Sequence, residues 1–186
     1  MNYDLIFLLE EESMRAVLEV ILPKLTNKTF RCIAHQGKQD LAQSIPRKLK
    51  VFQNINPETK FIIVHDQDSH DCVKLKNELK KLCSEVEQKN VLIRIVCREL
   101  ESWFLGDLAA VEKAYELQPN RLRKQQNKNK FRNPDRLNCA KQELKSLVQE
   151  YYQLHHAKKI APHLSITDNC SHSFCVFIEG IQKILD

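Results

Sequence analysis

The sequence predicts an α/β protein: a Rossmann-like parallel sheet built in the order βαβαβαβ, followed by a C-terminal helical extension. Short apolar runs alternate with stretches of helical periodicity as far as Cys97, the pattern of a parallel sheet with crossover helices. From Arg98 onward the periodicity is helical only. The 186 residues include just three glycines, Gly37, Gly106 and Gly180, so neither a G-x-G-x-x-G turn nor a G-x-x-x-x-G-K-[ST] phosphate loop can be written.

Taken in order, Leu5 to Leu9 reads as a buried strand, and Met14, Val17, Leu18, Ile21, Leu22 and Leu25 then recur at helical spacing. Phe30 to Ala34 is the second strand. Lys38 to Phe52 carries a helical stripe through Leu41, Ile45 and Leu49, with Pro46 placing strain or a break inside it. Phe61 to His65 is the third strand, Cys72 to Val86 a helix with one apolar face, and Val91 to Cys97 the fourth strand. Leu100 to Tyr115 fits a helix that Gly106 weakens. Asn120 to Arg136 is rich in Lys, Arg, Asn and Gln and reads as a linker or mobile loop. Two further helical patterns run through Leu144, Leu147, Val148 and Tyr151, and from Phe174 to Ile184. The expected division is a core over 1–117, a basic loop or linker over 118–138, and C-terminal helices over 139–186 that pack on the core.

Apolar residues make up 42% and charged residues 28%, a globular mixture, and a chain of this length buries a full core without disulfides or structural metal. No apolar run approaches the roughly 18 residues of a membrane span. Asp4 and then Glu10 to Glu12 stand where a secretory signal would have a basic start and a small-residue cleavage site, so a cytoplasmic protein with no membrane partner is expected. Seven cysteines, an odd number without a C-x-x-C pair, are expected as buried, reduced thiols.

In an open parallel sheet, ligands bind at the carboxyl ends of the strands. Strand one runs into Glu10, Glu11 and Glu12, strand two into His35 and Lys38, strand three into His65, Asp66, Gln67 and Asp68, and strand four into Arg98, Glu99 and Glu101. Crowded carboxylates raise one another's pKa unless cations neutralise them, and a hard divalent metal is the simplest such cation. In an extended strand end, side chains two apart share a face, so Asp66 and Asp68 can approach one region. Plainer readings stand beside this one: acids after strands cap the next helix, and Glu10 to Glu12 can be a solvated first turn. His35, His65 and His70 read as structural before they read as transition-metal ligands. Asn169, Ser171 and Ser173 suit a helix cap.

The net charge of +5, from 29 Lys and Arg against 24 Asp and Glu, divides along the chain. The cations Arg121, Arg123, Lys124, Lys128, Lys130, Arg132 and Arg136 are opposed locally only by Asp135. This tract is a candidate polyanion surface, with Phe131 available to stack on a base; a charged, solvated loop is the alternative.

At these residues the sequence resembles a known arrangement. A glutamate after the first strand and a D-x-D after the third are similar to the Toprim domains of topoisomerases, primases and OLD-type nucleases. More closely, LLEEES (8–13), HQGKQDL (35–41), HDQDSHDC (65–72), RIVCRELESWFLGDL (94–108), KFRNPDRL (130–137) and NCSHSFCVF (169–177) resemble a prokaryotic Toprim-like family catalogued as domain of unknown function 4276. The resemblance spans nearly the whole chain, and RELESWFLGD is its most specific string. It implies a site using Mg²⁺, or Mn²⁺, with Glu10 as general acid or base and Asp66 and Asp68 as metal ligands. Toprim proteins commonly carry a glycine after that glutamate, where this chain has Glu11.

The expected function is thus a Mg²⁺-dependent nuclease or phosphodiester-transfer domain acting on nucleic acid, DNA ahead of RNA. Glu10 or Glu11 would act as acid or base, Glu99 or Glu101 would hold a second ion, and Lys38 and Arg98 would contact phosphate oxygens. Related families occur among prokaryotic defence proteins, sometimes with an ATPase partner. The alternative is a non-catalytic module that binds nucleic acid or an ATPase through a degenerate metal site. A receiver-like phosphoacceptor domain ranks last, because its lone aspartate and late lysine are not evident.

Overall fold

A computed structural model describes residues 2–86, 91–148 and 152–185. Tyr151, expected on the helix face of Leu144, lies outside the described residues. The described sheet has four parallel strands in the order β2-β1-β3-β4: β1 (Leu5–Leu9), β2 (Phe30–Ala34), β3 (Lys60–Asp66) and β4 (Val91–Val96). Every residue of β1 is buried, as expected of a central strand covered on both faces. The strands are in step at their carboxyl ends, with Leu9 opposite both Ala34 and Val64, and Asp66 opposite Val96.

The first crossover, α1 (Glu12–Ile21), packs on one face of the sheet; α2 (Lys38–Ile55) and α3 (Cys72–Ser84) pack on the other. Alternation along the strands feeds the two layers. Leu5, Phe7 and Leu9 meet α1, while Ile6 and Leu8 meet Leu41, Ile45 and Leu49 of α2 and Leu75 and Leu79 of α3. The chain leaves β1 for β2 on one side and returns to β3 on the other, so the topological switch falls between β1 and β3. Pro46 does not break α2. It removes one backbone bond, while Leu41, Ile45 and Leu49, all fully buried, hold the helix to the sheet on either side of it.

The remaining helices are α4 (Glu101–Leu105), α5 (Leu108–Ala114), α6 (Ala140–Val148), α7 (Gln153–Ile160) and α8 (His172–Leu185). They join α1 on its face, with Trp103 at the centre, 5.1 Å from the rings of both Phe174 and Phe177. The single helix expected from Leu100 to Tyr115 is two. Asp107 caps the second by accepting from the Ala110 amide at 2.9 Å, and the chain around Asn169 crosses so close to Gly106 that the Cys170 amide donates to the Gly106 carbonyl at 2.8 Å. At α8 the Ser171 hydroxyl makes the expected cap by accepting from the Phe174 amide, whereas the Ser173 hydroxyl accepts from the Trp103 indole and the Ser173 amide donates to Asp135, which also accepts from the Ser171 hydroxyl.

Two expectations are corrected. Phe131 is 4% exposed and belongs to the core, so its ring is not a stacking platform for a base. The tract around it is fastened rather than free: Glu112 accepts from the amides of Asn120, Leu122 and Arg123, and the Gln126 side chain bridges Leu105, Leu108 and Phe131. The cysteines are all free thiols, but only Cys83 is buried; Cys139 and Cys170 are exposed, because they sit in polar turns outside the apolar faces of the helices.

Candidate functional site

The carboxyl ends of β1 and β3 are neighbours, so the residues leaving them meet. Glu10 follows β1, and its Oε2 accepts from the Asp66 amide at 3.2 Å. The same oxygen lies 3.1 Å from Nδ1 of His65, which also faces the Asp66 carbonyl at 2.6 Å. Burial pushes the Glu10 carboxyl up to about 7, the Asp66 amide opposes this, and the charge of Asp68 adds to it. Burial lowers the His65 imidazole. Burial thus disfavours the charged form of both partners in this contact.

Asp66 ends β3 and is almost wholly buried. Its Oδ2 accepts from the Leu100 amide at 3.3 Å, while Oδ1 is buried with no hydrogen-bond partner. Burial raises this carboxyl well above the usual range, and the charges of Glu10, Glu11 and Glu101 raise it further. An acceptor oxygen left unmatched in a buried acidic cluster is what a cation would satisfy.

The other acids divide. Glu101 is 1% exposed, and its charge is felt at Asp66. Glu99 turns to α6, where it accepts from the Lys141 amide at 3.0 Å. Glu11 is held by the Ser13 hydroxyl and the side-chain amide of Gln153. Its backbone is extended (φ −152°, ψ 167°), which any residue adopts, so the fold does not demand glycine there. Glu12 faces solvent and pairs with Arg15 at 2.8 Å, the solvated first turn of α1.

The expected shared face of Asp66 and Asp68 is not formed, because the strand ends at Asp66. Asp68 has φ 49° and Arg98 has φ 61°, both left-handed. The Asp68 amide donates to the Arg98 carbonyl at 2.7 Å, the Arg98 amide to Oε1 of Gln67 at 3.2 Å, and the Arg98 guanidinium reaches the Asp68 carbonyl at 3.5 Å. The Asp68 carboxylate turns to Lys38 and pairs with it. Asp68 still acts on Glu10 through its charge.

Among the described residues no three His, Cys, Asp or Glu side chains form a ready metal cage. Magnesium does not need one, since it keeps several waters and takes one or two carboxylates. The unmatched Asp66 Oδ1 beside Glu10 fits that demand; Asp68 fits it only when released from Lys38. His35 is buried with Nδ1 2.8 Å from the Leu9 carbonyl, and His70 has Nδ1 3.2 Å from the Gln67 carbonyl, the structural roles read for them.

The cations Arg121, Arg123, Lys124, Lys128, Lys130, Arg132 and Arg136 are all exposed. Lys130 is engaged, pairing with Glu143 at 2.6 Å. Two contributors had not been singled out from sequence. Gln67, the middle residue of D-x-D, braces Arg98, and an amide between two carboxylates carries no signal of that role. Gln153 reaches Glu11 across 142 residues, a separation that leaves no local signal. No helix among the described residues is long and apolar enough to cross a membrane.

Residues 9–182 match the family described as Domain of unknown function (DUF4276). The fold is similar to the C-terminal region of the Burkholderia pseudomallei OLD protein, at 13% identity and a TM-score of 0.55 over all of both chains. It is also similar to the C-terminal region of the Xanthomonas campestris pv. campestris OLD protein, at 16% identity and a TM-score of 0.53, covering 98% of this chain and 96% of that one. At such identities the likeness concerns the fold, the Toprim-like architecture expected from the sequence. No curated protein matches the chain.

Proposed function

The chain belongs to the family described as Domain of unknown function (DUF4276), and from that premise we propose that it is a Toprim-type, metal-dependent nuclease or phosphodiester-transfer domain acting on nucleic acid. The carrying observation is Asp66: a buried carboxylate with one oxygen unmatched, at the switch point of the sheet, beside a glutamate poised near neutrality.

Asp66 would hold Mg²⁺ or Mn²⁺, with Asp68, Glu10 or Glu101 as further oxygen donors. When bound, the ion supplies charge stabilisation at the phosphate and lowers the pKa of a bound water. Glu10, whose carboxyl titrates at about 7, can accept and return a proton near neutral pH. Ser13 and Gln153 hold Glu11 at the entrance as a positioning group. Lys38 and Arg98 are placed to meet phosphate oxygens; an arriving phosphate competes with Asp68 for Lys38 and frees that carboxylate. The exposed cations of 121–136 would hold the strand, DNA ahead of RNA. A defence role with an ATPase partner belongs to the same proposal and rests on the resemblance and the likeness to OLD proteins.

One observation favours a second reading. The Lys38–Asp68 pair neutralises a ligand carboxylate, as in a module that binds nucleic acid without cutting it. A cleavage assay with Mg²⁺ or Mn²⁺ on plasmid and single-stranded substrates separates the two. Cutting by the wild type and its loss in both Asp66→Ala and Glu10→Ala supports the nuclease. Binding without cutting by the wild type supports the second reading.

A further inference from the structure

A cleft of about 500 Å³ runs between α2 and α3, on the face of the sheet opposite α1. One end lies at the acidic edge, where it is lined by Lys38, His65 and His70; His65 touches Glu10 and Lys38 pairs with Asp68. The floor is apolar, made by Ala42, Leu79 and Leu82. None of the chemistry assigned to the acidic edge uses this space.

We propose that the cleft takes one unpaired nucleobase of the strand whose phosphate sits at Asp66, so that the substrate is a single strand, a strand end or a distorted duplex rather than intact duplex. This rests on the reading of the acidic edge as a phosphodiester site. A volume of this size is in the range of ligand pockets, and apolar walls with a few polar groups at the mouth match a flat aromatic ring with hydrogen-bonding edges. The exposed imidazole of His70 offers a plane for stacking. Charge sets the direction of entry. Lys38 stands at the end next to the acidic edge, whereas Glu78 and Glu85, set against the single cation Lys81, leave the far part of the cleft net negative and less favourable to a phosphate. A backbone passing Lys38 therefore points its base inward. A wholly apolar occupant, such as a hydrophobic peptide segment, would gain nothing from the charged and polar mouth formed by Lys38 and His70. A base inside an intact duplex reaches the cleft only after unstacking, which disfavours that substrate.

The test is fluorescence-anisotropy binding of the full chain, in Ca²⁺, to short single-stranded oligonucleotides. The intact strand is compared with a series that carries one abasic position each. The wild type is expected to bind at least one abasic strand about tenfold more weakly than the intact one, in line with the loss of a single stacked base. Ala42→Phe, which fills the cleft, is expected to bind every strand as the wild type binds its weakest. Leu82→Trp fills the same space from the other helix and serves if Ala42→Phe does not melt cooperatively. Equal wild-type affinity for intact and abasic strands overturns the base pocket and leaves the phosphodiester reading standing. Failure to bind any strand overturns both.

Discussion

Asp68 and Arg98 hold each other in the left-handed conformation: the amide of the first donates to the carbonyl of the second at 2.7 Å across the ends of two neighbouring strands. A side chain beyond glycine is strained there by about 1 kcal/mol, though aspartate tolerates it better than most. The strain turns the Asp68 carboxylate out of the strand and toward Lys38. Asp68→Gly is therefore expected to be more stable than Asp68→Ala by about 1 kcal/mol, the reverse of the usual order. Urea denaturation of the two variants measures the difference, and equal midpoints would show that the loop relaxes freely.

Glu10 makes stability depend on pH. Its folded pKa of about 7 lies above the ordinary glutamate value of 4.5, so its contribution is full below about 4.5 and is lost as pH rises through 7. The loss is about 3 kcal/mol when complete. In EDTA, the melting temperature should fall from pH 5 to pH 8, and Glu10→Gln should flatten that slope. Mg²⁺ should restore most of the loss at pH 8 in the wild type. A wild-type profile as flat as that of the variant would sink the assignment.

Asp66→Asn keeps an acceptor for the Leu100 amide and removes a buried carboxyl whose ionised form is disfavoured. The metal-free variant should melt higher than the wild type, by about 2–4 °C for each kcal/mol gained in a chain of this size. It should also lose the Mg²⁺-dependent rise in melting temperature and all cleavage. Calorimetric melts with and without Mg²⁺ read the first two effects; an unchanged Mg²⁺ response would place the ion elsewhere.

Gly106 is required by close approach rather than by an unusual backbone angle. A Cβ there would press on the Asn169 side chain and stand 2.8 Å from the Ser171 backbone nitrogen. Gly106→Ala should destabilise by about 1–3 kcal/mol, because it pushes the α8 cap away from α4. Chemical denaturation gives the value directly; a neutral effect would mean that the 169–171 chain moves aside at little cost.

The exposed cations of the 121–136 tract should appear in the salt dependence of strand binding. Replacing Lys124 and Lys128 by Ala should lower the slope of log affinity against log salt by about 0.7 per contact on single strands and about 0.9 on duplex. Lys130→Ala should matter less, since that side chain already pairs with Glu143. Slopes equal to the wild type would show that the strand follows another path.

The strands were legible because central parallel strands are continuous apolar runs, and Glu10 and Asp66 were legible because they are the first acids after two of them. Asp68 was not. Its turn depends on a bond to Arg98, and no local pattern announces a left-handed residue outside glycine. Phe131 was misread because a lone aromatic in a polar tract looks exposed, whereas Gln126 and Glu112 fold that tract back onto the core. The choice between Glu99 and Glu101 also lay in tertiary structure: Glu99 accepts from the first turn of α6, and Glu101 is buried where its charge is felt at Asp66.

The contact from Gln153 to Glu11 has a consequence for the order in which the molecule is assembled. As the chain leaves the ribosome, β1 to β4 and every acid of the edge are made before α7 exists. The flank at Glu11 therefore cannot be closed by Gln153 until α7 has been made. A chain that ends before residue 153 would lack the side-chain amide that holds the outermost of those acids.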